Sequence, residues 1–346
     1  MLGVRSFLAA AVFASTTASW AADVRVPQDY STIQGAIDAA PAGARIVVAR
    51  GTYYENLVIR KSITLMSRSG AQATTLDGGR IGPVIFARGT GSESVEISGF
   101  TIVSGLNLFT TNVPSAGSGG GIHVEALAAA TISDNIIRDN VGCFGVGISA
   151  LDSTVRVERN EIRDNPQDSS CNSADGGGIM VRGGGSEPSL IAANLIAGHV
   201  IRGYGAGIKI QRANTVIRDN VIRDNVANAG GGIAFDVSSG VVSDNLLIGN
   251  SAEIGGGMWL TPTDNGNHLA VTSNTLLDNR ATLGGSSIDL VVAADDVLRM
   301  RGNAISGDTE IELIRCETVF TVSRSNILSN PSGPTIGDTC SFGLIF

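Results

Sequence analysis

Arg182, Lys209 and Asp236 lie on one outward face in three successive segments of a repetitive chain. Lys209 is one of two lysines among 24 basic residues, so a lysine in the middle of this row stands out by composition. An amine beside a guanidinium and a carboxylate is a residue set for acid or base work next to an anionic group. The competing reading is a surface ion pair between Lys209 and Asp236, worth at most about 1 kcal/mol. His123 and Glu125, two residues apart, form a second acid and base pair, against which stands a merely solvated imidazole. Gln211 falls in the column of Arg182 and Asp236, and Trp259 in that of His123 and Lys209. The indole of Trp259 suits stacking on a sugar ring and equally suits covering the loop 261–268. Trp259, His123, Glu125 and Gln211 are the candidate binding residues.

A repeat places these residues in columns. A Gly-x-Gly-apolar start recurs as Gly119-Gly120-Gly121-Ile122, Gly145-Val146-Gly147-Ile148, Gly176-Gly177-Gly178-Ile179, Gly205-Ala206-Gly207-Ile208, Gly230-Gly231-Gly232-Ile233 and Gly255-Gly256-Gly257-Met258, with a degenerate copy at Gly284-Gly285. Each copy runs on to an Asn, from Asn135 to Asn326, and an aliphatic residue two places later, from Ile137 to Leu328. The period is 25 to a little over 30 residues, and alternation over three to five residues marks strands rather than helices. If Ile122 and its counterparts point inward, the next residues, His123, Ser149, Met180, Lys209, Ala234 and Trp259, point outward. Two places on, Glu125, Leu151, Arg182, Gln211, Asp236 and Thr261 form a second outward column.

Short strands at this period predict a coil of parallel strands, with coils stacked about 4.8 Å apart and Asn135 through Asn326 forming an internal ladder. Asn fits such a corner because it tolerates the left-handed conformation and its amide can donate to the next Asn. Arg138-Asp139-Asn140, Arg163-Asp164-Asn165 and Arg223-Asp224-Asn225 mark a second turn, read as surface Arg–Asp pairing in preference to a calcium or anion column. Interruptions at 103–118, 166–175, 183–189 and 261–268 gather beside the outward face and would wall a groove there. An open coil end exposes core and strand edges and needs a cap. Ile33, Ala36, Ile37 and Ala40 share one face of a helix stopped by Pro41 and Gly43, which predicts an N-terminal cap within 22–44. The tail 316–346 is expected to cover the other end.

With 45 Gly, 43% hydrophobic and 16% charged residues in 346, the chain is too apolar for disorder and lacks the Gly period of collagen. A net charge of -8 offers no basic footprint for nucleic acid or an anionic membrane, and no run is apolar enough to span a bilayer. Arg5, the apolar run from Phe7 to Ala14 and the ending Ser19-Trp20-Ala21 predict a signal peptide over 1–21. The mature chain, 22–346, is then one secreted or periplasmic domain. Cys143, Cys171, Cys316 and Cys340 suit an oxidising compartment; three pairings are open, and pairing within each neighbourhood is expected. No metal site is assigned, and calcium stays open as a cofactor without a site of its own.

These residues resemble the right-handed parallel β-helix proteins of the pectate-lyase-like superfamily. The Gly-Gly-Gly-Ile and Asn-x-Ile copies look like generic repeats of that fold. The opening Val26-Pro27-Gln28-Asp29-Tyr30-Ser31-Thr32-Ile33-Gln34, with Gly51-Thr52-Tyr53-Tyr54-Glu55-Asn56 and Ile63-Thr64-Leu65, is similar to that of pectin methylesterases and of periplasmic copper-accessory β-helix proteins. The resemblance implies an all-β fold: a single right-handed parallel β-helix (solenoid) with a short N-terminal capping helix. The methylesterase Arg-x-Trp and the epimerase Asp-Pro-His-Asp are absent, and Asp295-Asp296 lacks the Asn-Thr-Asp and Gly-His-Gly of polygalacturonase-type hydrolases. Similarity to chondroitinase-B-like lyases implies that Lys209 is the base removing the proton beside a uronate carboxylate, with Arg182 offsetting that carboxylate. Two functions follow: a lyase on uronic-acid-containing polysaccharide, ahead of a glycoside hydrolase, or a non-catalytic structural or glycan-binding β-helix. In either, the partner is polysaccharide and the chain is expected to be monomeric.

Overall fold

The structure, a computed structural model, describes residues 23–107, 118–185, 187–261, 268–291, 297–307, 309–317, 320–323 and 325–343. The expected signal peptide and Asp295-Asp296 lie outside these residues. Three parallel sheets of 11, 11 and 10 strands wind into one right-handed solenoid. The first sheet runs from Val24–Val26 to Val297–Arg301, the second from Gly51–Tyr53 to Ile327–Ser329 and the third from Leu57–Ile59 to Ile314–Cys316. A central coil gives Ile208–Gln211 to the third sheet, Asn214–Arg218 to the first and Val221–Arg223 to the second. Ile122, Ile148, Ile179, Ile208, Ile233 and Met258 pair in unbroken register, and each is 0% exposed. Each such side chain taken from water contributes roughly 1.5–3 kcal/mol, and the gain recurs coil after coil.

The corners hold the expected ladder from Asn135 to Asn326. Asn220 Oδ1, for example, accepts from the backbone N of Asn194 at 2.9 Å and from its Nδ2 at 3.0 Å. The left-handed residue is not the Asn but the one before it: Asp134, Arg159, Ala193, Asp219, Asp244 and Ser273 have φ between 55° and 58°. Asn is thus required for its amide, which fills the corner from inside, and not for its backbone freedom. A second ladder runs five residues further on, through Asn140, Asn165, His199, Asn225, Asn250 and Asn279. It uses the Asn of the Arg-Asp-Asn turns, while Arg138–Asp139, Arg163–Asp164 and Arg223–Asp224 pair at the surface.

Glycine is required twice at each strand start. Gly205 has φ of 64°, and a Cβ on Gly207 would lie 2.4 Å from Gly232 O of the next coil. The helix Ile33–Ala39 begins at Thr32, whose Oγ1 accepts from Gly35 N at 3.1 Å. The Glu55 carboxylate accepts from Ile33 N and Gln34 N at 2.9 and 2.8 Å, meeting two more open donors. The buried face of Ile33, Ala36 and Ile37 rests on the first strands of the solenoid. Cys143 pairs with Cys171 and Cys316 with Cys340, each within its neighbourhood. Among the described residues no helix is long and apolar enough to cross a membrane.

Candidate functional site

On the outer face of the third sheet the register runs His123, Ser149, Met180, Lys209, Ala234, Trp259, and beside it Glu125, Leu151, Arg182, Gln211, Asp236, Thr261. The columns expected from the repeat are therefore present. The first of them points out of the coil yet is covered. The left-handed Gly at each strand start turns the incoming chain back over the outward side chain, so that a Cβ on Gly205 would lie 3.0 Å from Lys209 Cα. Lys209 is accordingly 1% exposed on its side chain.

Lys209 Nζ donates to Asp236 Oδ2 at 3.2 Å and lies 4.9 Å from the ring centre of Tyr204 and 5.2 Å from that of Trp259. Gln211 Nε2 donates to the same carboxylate oxygen at 2.8 Å. Ala234, on the coil between Lys209 and Trp259, leaves the room in which the ammonium and the two rings meet. Tyr204 and Trp259 stack at 4.9 Å with a tilt of 30°, and Tyr204 is 39% exposed. Asp175 Oδ1 holds Tyr204 by its backbone N at 2.9 Å. Burial pushes the Lys209 ammonium below its usual range, opposed by the charges of Asp236 and Asp175. Burial likewise raises the Asp175 carboxyl, against the hydrogen bond from Tyr204 and the charge of Lys209.

The structure thus brings Lys209, Asp236, Gln211 and Trp259 together and adds Tyr204 and Asp175, which sequence reasoning missed. Arg182 faces Gln211 across one register step, diagonal to Lys209; it is exposed and makes no ion pair among the described residues. Arg182 instead lines a cleft with Phe144, Ser149, Leu151, Asp175, Met180 and Gln211, to which Lys209 does not contribute. His123 and Glu125 stand apart, three register steps from Lys209. His123 is fully buried, lies flat against Phe86 at 5.5 Å between ring centres, and has Nε2 3.6 Å from Glu125 Oε2. Burial pushes its pKa down to about 4, so this imidazole is neutral rather than a solvated cation. Glu125 also faces Arg88 at 3.7 Å. Beyond Trp259 the column continues to Asp289, fully buried and paired with Arg315. Burial raises that carboxyl to about 6. The degenerate Gly284-Gly285 hid this coil from the repeat, although counting five residues from that start would have reached Asp289. Among the described residues no group of acidic, His or Cys side chains is placed to hold a metal ion.

Comparison with curated sequences finds no match. Among solved structures, an alginate lyase from Paenibacillus sp. str. FPU-7 superposes with a TM-score of 0.46 at 14% identity, covering 89% of this chain and 95% of the lyase. A mutant of a PL6 family alginate lyase superposes with a TM-score of 0.41 at 14% identity, covering 94% of this chain and 54% of the other. The family model described as the right handed beta helix region matches residues 84–276 and again 146–343, the stretch over which the glycine starts and both ladders recur. With that match spanning most of its coils, the chain belongs to the right-handed beta helix family.

Proposed function

We propose that this chain is an exported β-helix that binds polysaccharide along the outer face of its third sheet. The observation that carries the reading is the Tyr204–Trp259 pair, with Tyr204 39% exposed and Trp259 partly so, edged by Asp236, Gln211 and Arg182, which makes no ion pair among the described residues. Stacked aromatic faces suit the apolar side of a sugar ring, and a carboxylate, an amide and a guanidinium suit its hydroxyls and any uronate carboxylate. Lys209 serves the site from beneath, fixing Asp236 and both rings. Export is supported by the two disulfides, which form and persist in oxidising compartments. The lyase reading retains one observation in its favour: a lysine below its usual range, as a base requires, one coil from an arginine. Its burial beneath Tyr204 weighs against it, because no substrate proton reaches Nζ without moving that ring.

The test is a panel of alginate, pectate, glycosaminoglycans and neutral glucans, with and without calcium. Binding is followed by calorimetry, and unsaturated uronate and new reducing ends are followed in the same samples. Binding that weakens at least tenfold in Trp259→Ala, with no product in either channel, is the expected result. Unsaturated product that disappears in Lys209→Ala would replace binding with a lyase. Neither binding nor product on any glycan would overturn both.

A further inference from the structure

His199 is the one member of the second ladder that is not Asn among the described residues. Its ring is wholly buried and does the work of a carboxamide. Asn225 Oδ1 takes the Nδ1 proton at 2.9 Å and also accepts from His199 N at 3.1 Å. Asn165 Nδ2 donates to Nε2 at 3.2 Å. The network therefore assigns the proton to Nδ1 and leaves Nε2 as the acceptor. A second proton, on Nε2, would face the Nδ2–H of Asn165 donor to donor. Asn165 cannot turn its oxygen to meet it, since Oδ1 already accepts from Asn140 N at 3.1 Å and Asn140 Nδ2 at 3.0 Å. The ring is 0% exposed, and Gly178 of the neighbouring coil packs against its Cε1 edge where a Cβ would lie 3.1 Å away.

Charges nearby do not rescue the imidazolium. Asp164, on the preceding coil, favours the charged ring but is itself exposed and paired with Arg163 at 2.9 Å. On the following coil Arg223 and Asp224 pair with each other at the surface. Burial outweighs these and holds the pKa at about 4. From His199 the chain runs over the third sheet and reaches, five residues later, Tyr204, the ring that covers Lys209. Its start is fixed by His199 O accepting from Val226 N at 2.7 Å and by Ile201 N donating to Val226 O at 2.9 Å.

We propose that His199 is an acid-sensitive anchor: its protonation breaks the second ladder at this coil and frees the segment 199–205, uncovering Lys209 beneath Tyr204 while the remaining coils hold. The inference is independent of what the site binds. Trp259 reports on it, because its indole touches both Tyr204 and Lys209, and Trp20→Phe leaves it the only tryptophan. The experiment titrates the Trp20→Phe protein from pH 7 to 3, following Trp259 emission and far-ultraviolet circular dichroism together. A change in emission centred near pH 4 with the dichroism retained is expected. His199→Asn, which supplies the residue found elsewhere in the ladder, should remove that step or move it by more than one pH unit. Asp175→Asn, which alters the other titrating contact of Tyr204, should keep it. Asp289, the neighbour of Trp259 in the column, would show as a separate step near pH 6. Should His199→Asn fold poorly, hydrogen exchange on the unaltered chain decides. Amides of 199–205 must then lose protection at pH 4, after correction for intrinsic rates, ahead of those in Val221–Arg223. An unchanged step in His199→Asn, no step above pH 3, simultaneous loss of dichroism, or uniform exchange would each overturn the proposal.

Discussion

A buried ammonium survives only where its surroundings replace the water it has lost. Around Lys209 the replacement is unequal: Asp236 supplies the opposite charge in contact, Asp175 adds charge without an ion pair, and Tyr204 and Trp259 supply only ring faces. The two partners should therefore respond differently to removal. Asp236→Ala strands a charge at a site 1% exposed and is expected to lower stability by about 3–5 kcal/mol in urea unfolding. Lys209→Met keeps the volume and leaves Asp236, 25% exposed and still bonded to Gln211, to water; a change within about 1 kcal/mol is expected. If both variants lose the same amount, the ion pair is not what holds this corner. Lys209 and Asp236 were legible as neighbours because strand alternation and the glycine starts fix their columns. Burial was not legible, because it comes from chain folding back over the column at Gly205, a long-range consequence of one left-handed residue. Tyr204 and Asp175 lie in that returning chain, each just before the left-handed Gly of its coil, at a position that keeps its register while its residue type changes through Ser118, Phe144, Asp175, Tyr204 and Ala229.

At the scale of the corners, side chains act as links in a series. Each mid-ladder Asn bonds to groups on both neighbouring coils, so truncation leaves buried donors and acceptors open on two sides. Asn220→Ala, in mid-ladder, is expected to cost about 2 kcal/mol or more, and Asn326→Ala, at the last step, clearly less; chemical denaturation of the pair checks the order. Gly232→Ala drives a methyl to within 2.6 Å of Gly257 O and should destabilise strongly, whereas Gly184→Ala meets nothing within 4 Å and should be neutral. The first ladder could be read from the chain, since its Asn precede the periodic aliphatic residues. The second is masked in the sequence by the charged Arg and Asp that precede its Asn in the Arg-Asp-Asn turns. Its signal was a constant offset: Asn135 and Asn140, Asn160 and Asn165, Asn194 and His199, Asn220 and Asn225 are each five apart. That offset alone marks His199 as a ladder member.

Over the whole molecule, buried titrating groups set how stability varies with pH. His123 and His199 have pKa values lowered from 6.5 to about 4, so the unfolded chain binds their protons first. Their contribution is full above pH 6.5 and is lost as pH falls to about 4. Asp289, raised from 3.8 to about 6, has the opposite sign, its contribution being full below 3.8 and lost as pH rises through 6. Asp175, also raised by burial, has the sign of Asp289. With the two imidazoles prevailing over these carboxyls, calorimetry should find the melting temperature falling from pH 6.5 to 4, and falling less or rising in the double variant His123→Phe, His199→Asn. The Cys143–Cys171 bridge closes a separation of 28 residues, for which chain entropy gives about 3–4 kcal/mol; replacing both with Ser should lower stability by that order under oxidising conditions.

The spacing of the ladder has a consequence for the length of the protein itself. Asn220 and Asn245 are 25 residues apart and occupy the same corner on adjacent coils. Excising 220–244 would join Asp219 to Asn245, set Asn245 against Asn194 and bring Met258 up to Ile208, with every remaining strand still finding a partner in phase. Such a shortened chain, carrying Lys209→Met because the excision also removes Asp236, should fold with both disulfides formed, since coils interact only with their immediate neighbours. The molecule can then grow or shrink in whole coils, one insertion or loss at a time, wherever side chains that pair across the junction, as Lys209 does with Asp236, are changed together.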